Sequence, residues 1–266
     1  MLSSLDPGPL RLGPWRLRQA ARSGLGLVIE GVDDATGAAG PDDYVNAIFM
    51  SAEHQDAFLA LVDREGLVVC KNVGGDDAAY EDVRGRSSRG RLSQGEYYHH
   101  DGCTGPVKPR VVEIRCPRQT VARHTHTAIA RFPDTVHAML LELPPALRQD
   151  GELAAHHAAV AAGEPIAADA WDHVQGLVIR TARRALSAEE ARAYLRAVDV
   201  RAGAYREPWT MGESRFIANA NPGRTLQHRR AYLEPPGTRP NGKLVKRWPG
   251  HIDASACALS EADDAG

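Results

Sequence analysis

The stretch Tyr97-Tyr98-His99-His100-Asp101-Gly102 constrains this chain more than any other. In an extended backbone, side chains two apart leave the same face. His99 and Asp101 therefore project together, and His100 and Gly102 take the opposite side. One imidazole and one carboxylate on a common face are two of the three ligands of a two-histidine, one-carboxylate site, which binds Fe(II) and leaves three positions open. The third ligand has to be a distant histidine. A turn of Asn219-Ala220-Asn221-Pro222-Gly223 runs through Arg224-Thr225-Leu226-Gln227 into a strand that begins near His228. Nearly half the chain separates His99 from His228, so only tertiary folding can join them. A jelly roll does this, because its strands lie beside partners far away in sequence.

Composition narrows the alternatives. With 266 residues, 43% of them hydrophobic, the chain can fill one large core, and a single domain over residues 1–266 is expected. A net charge of −2 offers no basic excess for nucleic acid or an anionic membrane. Met1 to Pro7 lacks a cationic segment followed by an apolar run, and no stretch is apolar for long enough to span a bilayer. Cys70, Cys103, Cys116 and Cys257 form no Cys-x-x-Cys pair, which favours reduced thiols in a cytoplasm over a disulfide framework or a zinc ribbon.

Along the chain, residues 1–45 read as a loosely structured lead-in with one strand at Leu25–Glu30. Ser51 is placed to cap a helix with an apolar stripe of Phe58, Leu59, Leu61 and Val62, ended by Gly66. Leu67–Cys70 follows as a short buried strand. Residues 74–95 are glycine-rich and charged, either a solvated loop or a lid over the site. Val111–Cys116 alternates as a strand. Residues 128–150 read as two helical pieces broken by Pro133, residues 152–170 as a helical or loop insert, and Leu177–Arg180 as a strand. Ser187-x-x-Glu190 is a capping box that opens a helix carrying Ala191, Tyr194, Leu195 and Val198. Further strands are expected at Ser214–Ala218, His228–Leu233 and Gly242–Trp248, and the tail 255–266 is expected to fray. The expected fold class is mainly β with helices (α+β), a double-stranded β-helix (jelly roll) core with helical insertions.

The order of these motifs resembles that of the clavaminate synthase-like and taurine dioxygenase-like iron(II)/2-oxoglutarate oxygenases. A helix and the strand Glu65-Gly66-Leu67-Val68-Val69 precede His99-x-Asp101-Gly102. Then comes Pro109-Arg110-Val111-Val112-Glu113-Ile114-Arg115-Cys116-Pro117. Arg123-His124-Thr125 keeps the family's threonine without its two glycines. Asn219 through His228-Arg229-Arg230 and Lys243 through Arg247 follow the distal pattern. The resemblance covers about residues 55–250 and implies Fe(II) held by His99, Asp101 and His228. It also implies 2-oxoglutarate as co-substrate, its far carboxylate meeting Thr125 and a basic side chain. Lys243 falls where the family usually has arginine, so that cation is Arg247, Arg239 or Lys243 itself. O2 and a small-molecule substrate complete the implied set of partners.

Each motif has a plainer reading too. A single histidine is more often a hydrogen-bonded or surface residue than a ligand. His124-Thr125-His126 reads as structural or substrate-facing, His156-His157 as solvated, and Arg229-Arg230 as a strand edge of which at most one points inward with His228. Shifting the frame by one gives His100-x-Gly102, in which glycine leaves room for chloride, as in halogenating relatives. The His99/Asp101 frame is preferred because Gly102 then follows the carboxylate as it does in the family. The leading expectation is oxygenation of a C–H bond in a small polar metabolite, by hydroxylation or oxidative cyclisation, in natural-product biosynthesis. A non-catalytic jelly-roll binding module and a cupin-like metal protein that uses no 2-oxoglutarate are the readings from other classes.

Overall fold

The structure is a computed structural model and describes residues 16–19, 25–30, 52–70, 81–83, 92, 94–101, 109–116, 125–210, 212–219, 226–232 and 243–248. Strands β1 (Arg16–Gln19) and β2 (Leu27–Glu30) lie in the segment expected to be a loose lead-in. They pair with each other antiparallel, and β2 then runs parallel to β3 (Leu67–Cys70), so this segment extends a sheet. Between them stands helix α1 (Ala52–Glu65). It stops at Gly66, whose φ of 80° is open to glycine and costly for other residues. The Gly66 amide donates back to the Val62 carbonyl at 2.7 Å, and the chain turns directly into β3.

The remaining strands are β4 (Glu81–Val83), β5 (Val111–Arg115), β6 (Thr125–Arg131), β7 (Ser214–Ala218), β8 (Leu226–Tyr232) and β9 (Lys243–Trp248). Seven strands form one sheet in the order β1-β2-β3-β7-β5-β9-β4, and β6 pairs with β8 in a second. Every pairing except β2–β3 is antiparallel. The central strands β3, β5 and β7 are buried along their whole length; β3 reads as a continuous apolar run, whereas β5 and β7 bury Glu113, Arg115, Ser214 and Arg215 among their apolar residues. Alternate residues serve two layers. Phe216 turns toward α1, where it meets Phe58 edge-on at 4.8 Å. Leu67, Val69, Val112, Ile114 and Ile217 turn the other way and share one core with Ile129 of β6 and Leu226 of β8.

The second sheet is buried on both faces. Ile129 looks toward the large sheet, and Ala128 and Ala130 look toward a layer of helices. Those helices are α2 (Phe132–Leu141), α3 (Gly151–Ala161), α4 (Trp171–Ala185) and α5 (Ala188–Arg201). Two expectations fail here. Residues 125–131 are a strand, and α2 begins only at Phe132, with Pro133 in its first turn, where a missing amide proton costs nothing. Leu177–Arg180 lies inside α4, not in a strand: Val174, Val178 and Ala182 are buried at a spacing of four. A helical period is invisible in a window of four residues. The capping box at Ser187 is present, with the Glu190 amide donating to the Ser187 hydroxyl and the Ser187 amide donating to the Glu190 carboxylate at 2.8 Å.

Among the described residues, no helix is long and apolar enough to cross a membrane. Cys70 and Cys116 are buried cysteines, and burial pushes the Cys70 thiol up, further from its reactive thiolate. Most of the lid segment 74–95, the tail 255–266, Cys103, Cys257 and Ser51 lie outside the described residues.

Candidate metal centre

Among the described residues, the segment carrying His99 meets β8 in one backbone bridge. The His99 amide donates to the His228 carbonyl at 3.1 Å, and the His228 amide donates back to the His99 carbonyl at 3.2 Å. His99 is thus bridge and turn, not the strand expected, but it is extended enough for neighbours to alternate. His228 stands opposite Ile129 in the β6–β8 register, and Ile129 belongs to the core between the sheets. Both imidazoles consequently project into the inter-sheet space, their centroids 4.5 Å apart.

Asp101 completes a cluster with them. His99 Nε2 and His228 Nε2 each lie 3.6 Å from the same oxygen, Asp101 Oδ1. One ligand atom from each of the three side chains falls within 4.8 Å of the others. A separation of 3.6 Å exceeds hydrogen-bond range. Ligands at neighbouring corners of an octahedral ion with bonds of about 2.1 Å stand about 3 Å apart. The trio therefore has the donor types and nearly the spacing for one divalent ion on a common facial edge. His99 Nδ1 donates to the Tyr97 carbonyl at 2.9 Å, which fixes the tautomer and leaves Nε2 as the lone-pair nitrogen aimed at Asp101.

Asn219 holds the carboxylate's backbone. Its Oδ1 accepts from the Asp101 amide at 2.9 Å, and its Nδ2 donates to the carbonyls of Asp101 at 3.0 Å and Pro109 at 2.9 Å. One fully buried amide thus reads both polar groups of the residue that has to present its carboxylate to the histidines.

Residues adjacent to the two histidines turn away into the helical layer. His100 is 5% exposed, meets Phe132 edge-on at 4.9 Å and has Gln227 Nε2 at 3.3 Å from its Nδ1. It stands on the face opposite to the His99/His228/Asp101 cluster, so the frame shifted by one does not meet His228. Gln227 exchanges two amide hydrogen bonds with Gln175 of α4, at 2.6 and 2.8 Å, and accepts from the Thr135 hydroxyl at 3.0 Å. On the other side of each histidine, Tyr98 donates to Asp199 Oδ1 at 2.8 Å, and Arg229 forks onto both Asp199 oxygens at 2.7 and 2.6 Å. Burial, together with the Asp199 charge, holds the Tyr98 hydroxyl well above the usual phenol range, so it stays a donor. For Arg229 burial works against the charge, and the Asp199 carboxylate outweighs it.

Other sequence-based candidates fall as follows. Thr125 opens β6 opposite Tyr232, and Lys243 and Arg247 stand on β9 opposite Val83 and Val112 respectively; Val112 belongs to the inter-sheet core. Arg239 and His124 lie outside the described residues. His157, expected to be solvated, is partly buried and donates from Nδ1 to the Leu140 carbonyl at 2.8 Å. Arg229, read as a possible strand edge, is buried, and it faces the helices while Arg230 shares the side of His228. Asp199, Tyr98 and Gln227 are not among the functional candidates legible in the sequence. A carboxylate at position 199, four residues after buried Leu195 and beside buried Val198, was the available signal.

No protein-family model matches the chain, and no curated protein matches it either. Solved structures with a similar course include AAD-2 in complex with Mn(II) and N-oxalylglycine, at 12% identity and a TM-score of 0.46, covering 91% of this chain and all of that one. PvcB, an Fe, alpha-ketoglutarate dependent oxygenase from an isonitrile synthetic pathway, matches at 13% identity and a TM-score of 0.43 over 90% of this chain and 93% of its own. A second PvcB structure, from Pseudomonas aeruginosa, has a TM-score of 0.40 at 12% identity, over 90% of this chain and 92% of its own. The likeness is distant in each case.

Proposed function

We propose that this protein is an Fe(II)- and 2-oxoglutarate-dependent oxygenase, a single jelly-roll domain that activates a C–H bond of a small polar metabolite by hydroxylation or oxidative cyclisation. The observation that carries this reading is the trio itself: two imidazole Nε2 atoms equidistant, at 3.6 Å, from one oxygen of Asp101. Two histidines and one carboxylate are the donor set of non-haem Fe(II) sites that keep open positions for co-substrate and O2. His99, Asp101 and His228 would hold the ion. When bound, it supplies the redox chemistry by which O2 oxidises the substrate while 2-oxoglutarate is converted to succinate and CO2.

The chain's own residues have three tasks. The Tyr97 carbonyl and the Asn219 amide orient His99 and Asp101 before any metal arrives, so little rearrangement opposes binding. Ile129, opposite His228, and the inter-sheet core to which it belongs would keep water from the inner side of the site. A basic side chain after His228 would anchor the C5 carboxylate of 2-oxoglutarate. The β9 register supports Arg247, opposite a core residue, ahead of Arg239, with Lys243 on the same side of the strand as Arg247. Arginine is the better partner because its planar fork pairs two-to-two with a carboxylate.

The halogenating alternative needs His100 as a ligand, and His100 points into the helical layer. Oxygenation is therefore the expected outcome, and a chlorinated product in chloride buffer would contradict it. The test of the proposal is succinate formation that depends on both Fe(II) and O2. The apparent affinity for 2-oxoglutarate should then be compared in Arg247→Ala, Arg239→Ala and Lys243→Ala. Loss of the charge-assisted pair costs about 1.5–3 kcal/mol, roughly 10- to 150-fold. A selective loss in Arg239→Ala would reverse the order, and no loss in any variant would remove 2-oxoglutarate from this strand.

A further inference from the structure

We propose that Asp199 of α5 is a positioning residue for the metal centre, and that by holding Tyr98 and Arg229 together it sets the spacing of His99 and His228. The inference rests on the reading of the trio as a metal site. Among the described residues, one backbone bridge joins the His99 segment to β8. A single bridge leaves the two segments free to hinge, whereas metal ligands have to be held to within about 0.5 Å. The extra constraint lies on the other face. Tyr98 precedes His99 and Arg229 follows His228, and both side chains point away from the site into the helices. There a single atom, Asp199 Oδ1, accepts from the Tyr98 hydroxyl at 2.8 Å and from Arg229 Nε at 2.7 Å. The second oxygen of Asp199 accepts from Arg229 Nη2 at 2.6 Å.

Asp199 is 2% exposed and Arg229 3%, so these contacts are made without competing water. Arg229 also donates from Nη1 to the Glu96 carbonyl at 3.3 Å, tying β8 to the turn that leads into Tyr97 and His99. One carboxylate on a helix thereby clamps the two segments that carry the imidazoles, from behind and without touching the ligand atoms. The Gln175–Gln227–His100 contacts make a parallel link on the far side of each histidine.

A purely structural ion pair would stabilise the fold and leave metal affinity alone, and that difference is measurable. The experiment is titration of the full-length apo-protein with Mn(II) as probe, alongside apo-protein melting temperatures. Asp199→Asn should weaken Mn(II) binding about 10- to 100-fold, the range seen when outer-shell partners of metal ligands are changed. Because Asp199→Asn leaves a buried arginine uncompensated and can fail to fold, Tyr98→Phe is the second variant. It removes only the hydroxyl and should weaken Mn(II) binding about 3- to 10-fold. Tyr194→Phe is the control: it deletes another buried hydroxyl of the same layer, which donates to the Met139 carbonyl at 2.8 Å. It should lower the melting temperature and keep wild-type Mn(II) affinity. Wild-type affinity in Tyr98→Phe would overturn the role of Asp199 and leave the metal site standing. A wild-type protein that took up no Mn(II) would overturn the metal site and the clamp together.

Discussion

Arg215 and Arg229 are both buried cations on neighbouring sheets, and they are paired in different ways. Arg215, on β7, meets Glu213 two residues away at 2.6 Å and lies over the Trp209 ring at 3.7 Å. It donates further to the carbonyls of Thr127 at 3.3 Å and Glu207 at 2.8 Å. The ion pair is local, and apart from the Thr127 carbonyl on β6 the groups that Arg215 meets lie in the connection between α5 and β7. Arg229, on β8, meets a carboxylate thirty residues away in another layer, which also takes a hydrogen bond from Tyr98 on a third segment. The carboxylate–guanidinium pair joins residues of one stretch of backbone in the first case and residues of separate layers in the second. Burying an ion pair is weak evidence for stability; which elements it joins says more about what it is for.

That contrast can be broken most forcefully by removing each cation. Arg215→Met takes the ion-pair partner at 2.6 Å from buried Glu213, and Arg229→Met takes the one at 2.6 Å from buried Asp199, whose other cation, the exposed Arg206, stands 3.8 Å away. Each should cost about 3–5 kcal/mol in denaturant unfolding of the apo-protein. The folded fraction of Arg215→Met should bind Mn(II) as wild type, whereas Arg229→Met should bind it at least tenfold more weakly. Equal losses of Mn(II) affinity would erase the distinction between the two pairs. A smaller effect comes from Asn219→Ala, which strips hydrogen bonds from the Asp101 amide and the carbonyls of Asp101 and Pro109. It should cost about 1–3 kcal/mol and weaken metal binding through the carboxylate arm, leaving the spacing of the histidines intact. Smallest is Ser187→Ala at the start of α5, which removes a surface cap worth about 1 kcal/mol. It sits on the same helix as Asp199 and should lower the melting temperature by a few degrees with no change in Mn(II) affinity.

What could be read in the sequence depended on how local its cause is. The His-x-Asp pair was legible because alternation along an extended backbone is a two-residue rule. The strand at Leu67 was legible because a strand buried on both faces reads as a short apolar run, and the one at Val111 because its apolar and charged residues alternate. The capping box at Ser187 is a four-residue motif and was equally plain. Strand β6 was missed because Ala128 and Ala130 favour helix on propensity. They serve here as small residues that let the second sheet lie close to α2 and its neighbours, and tertiary packing outweighs the preference. Within α4, Leu177-Val178-Ile179 reads as strand until Val174 and Ala182 are counted with it. Asp199 was the hardest: nothing within a few residues shows what it meets, because Tyr98 and Arg229 reach it only after the layers assemble. His228 was suggested by the Asn-rich turn before it, yet its nearness to His99 is a product of the β6–β8 sheet.

The most direct test of the account is metal stoichiometry under anaerobic titration with Fe(II), in wild type, His99→Ala and His228→Ala. The account predicts a single tight ion per chain in wild type and none in either variant, with secondary structure by circular dichroism unchanged. Full Fe(II) stoichiometry in folded His228→Ala would contradict it.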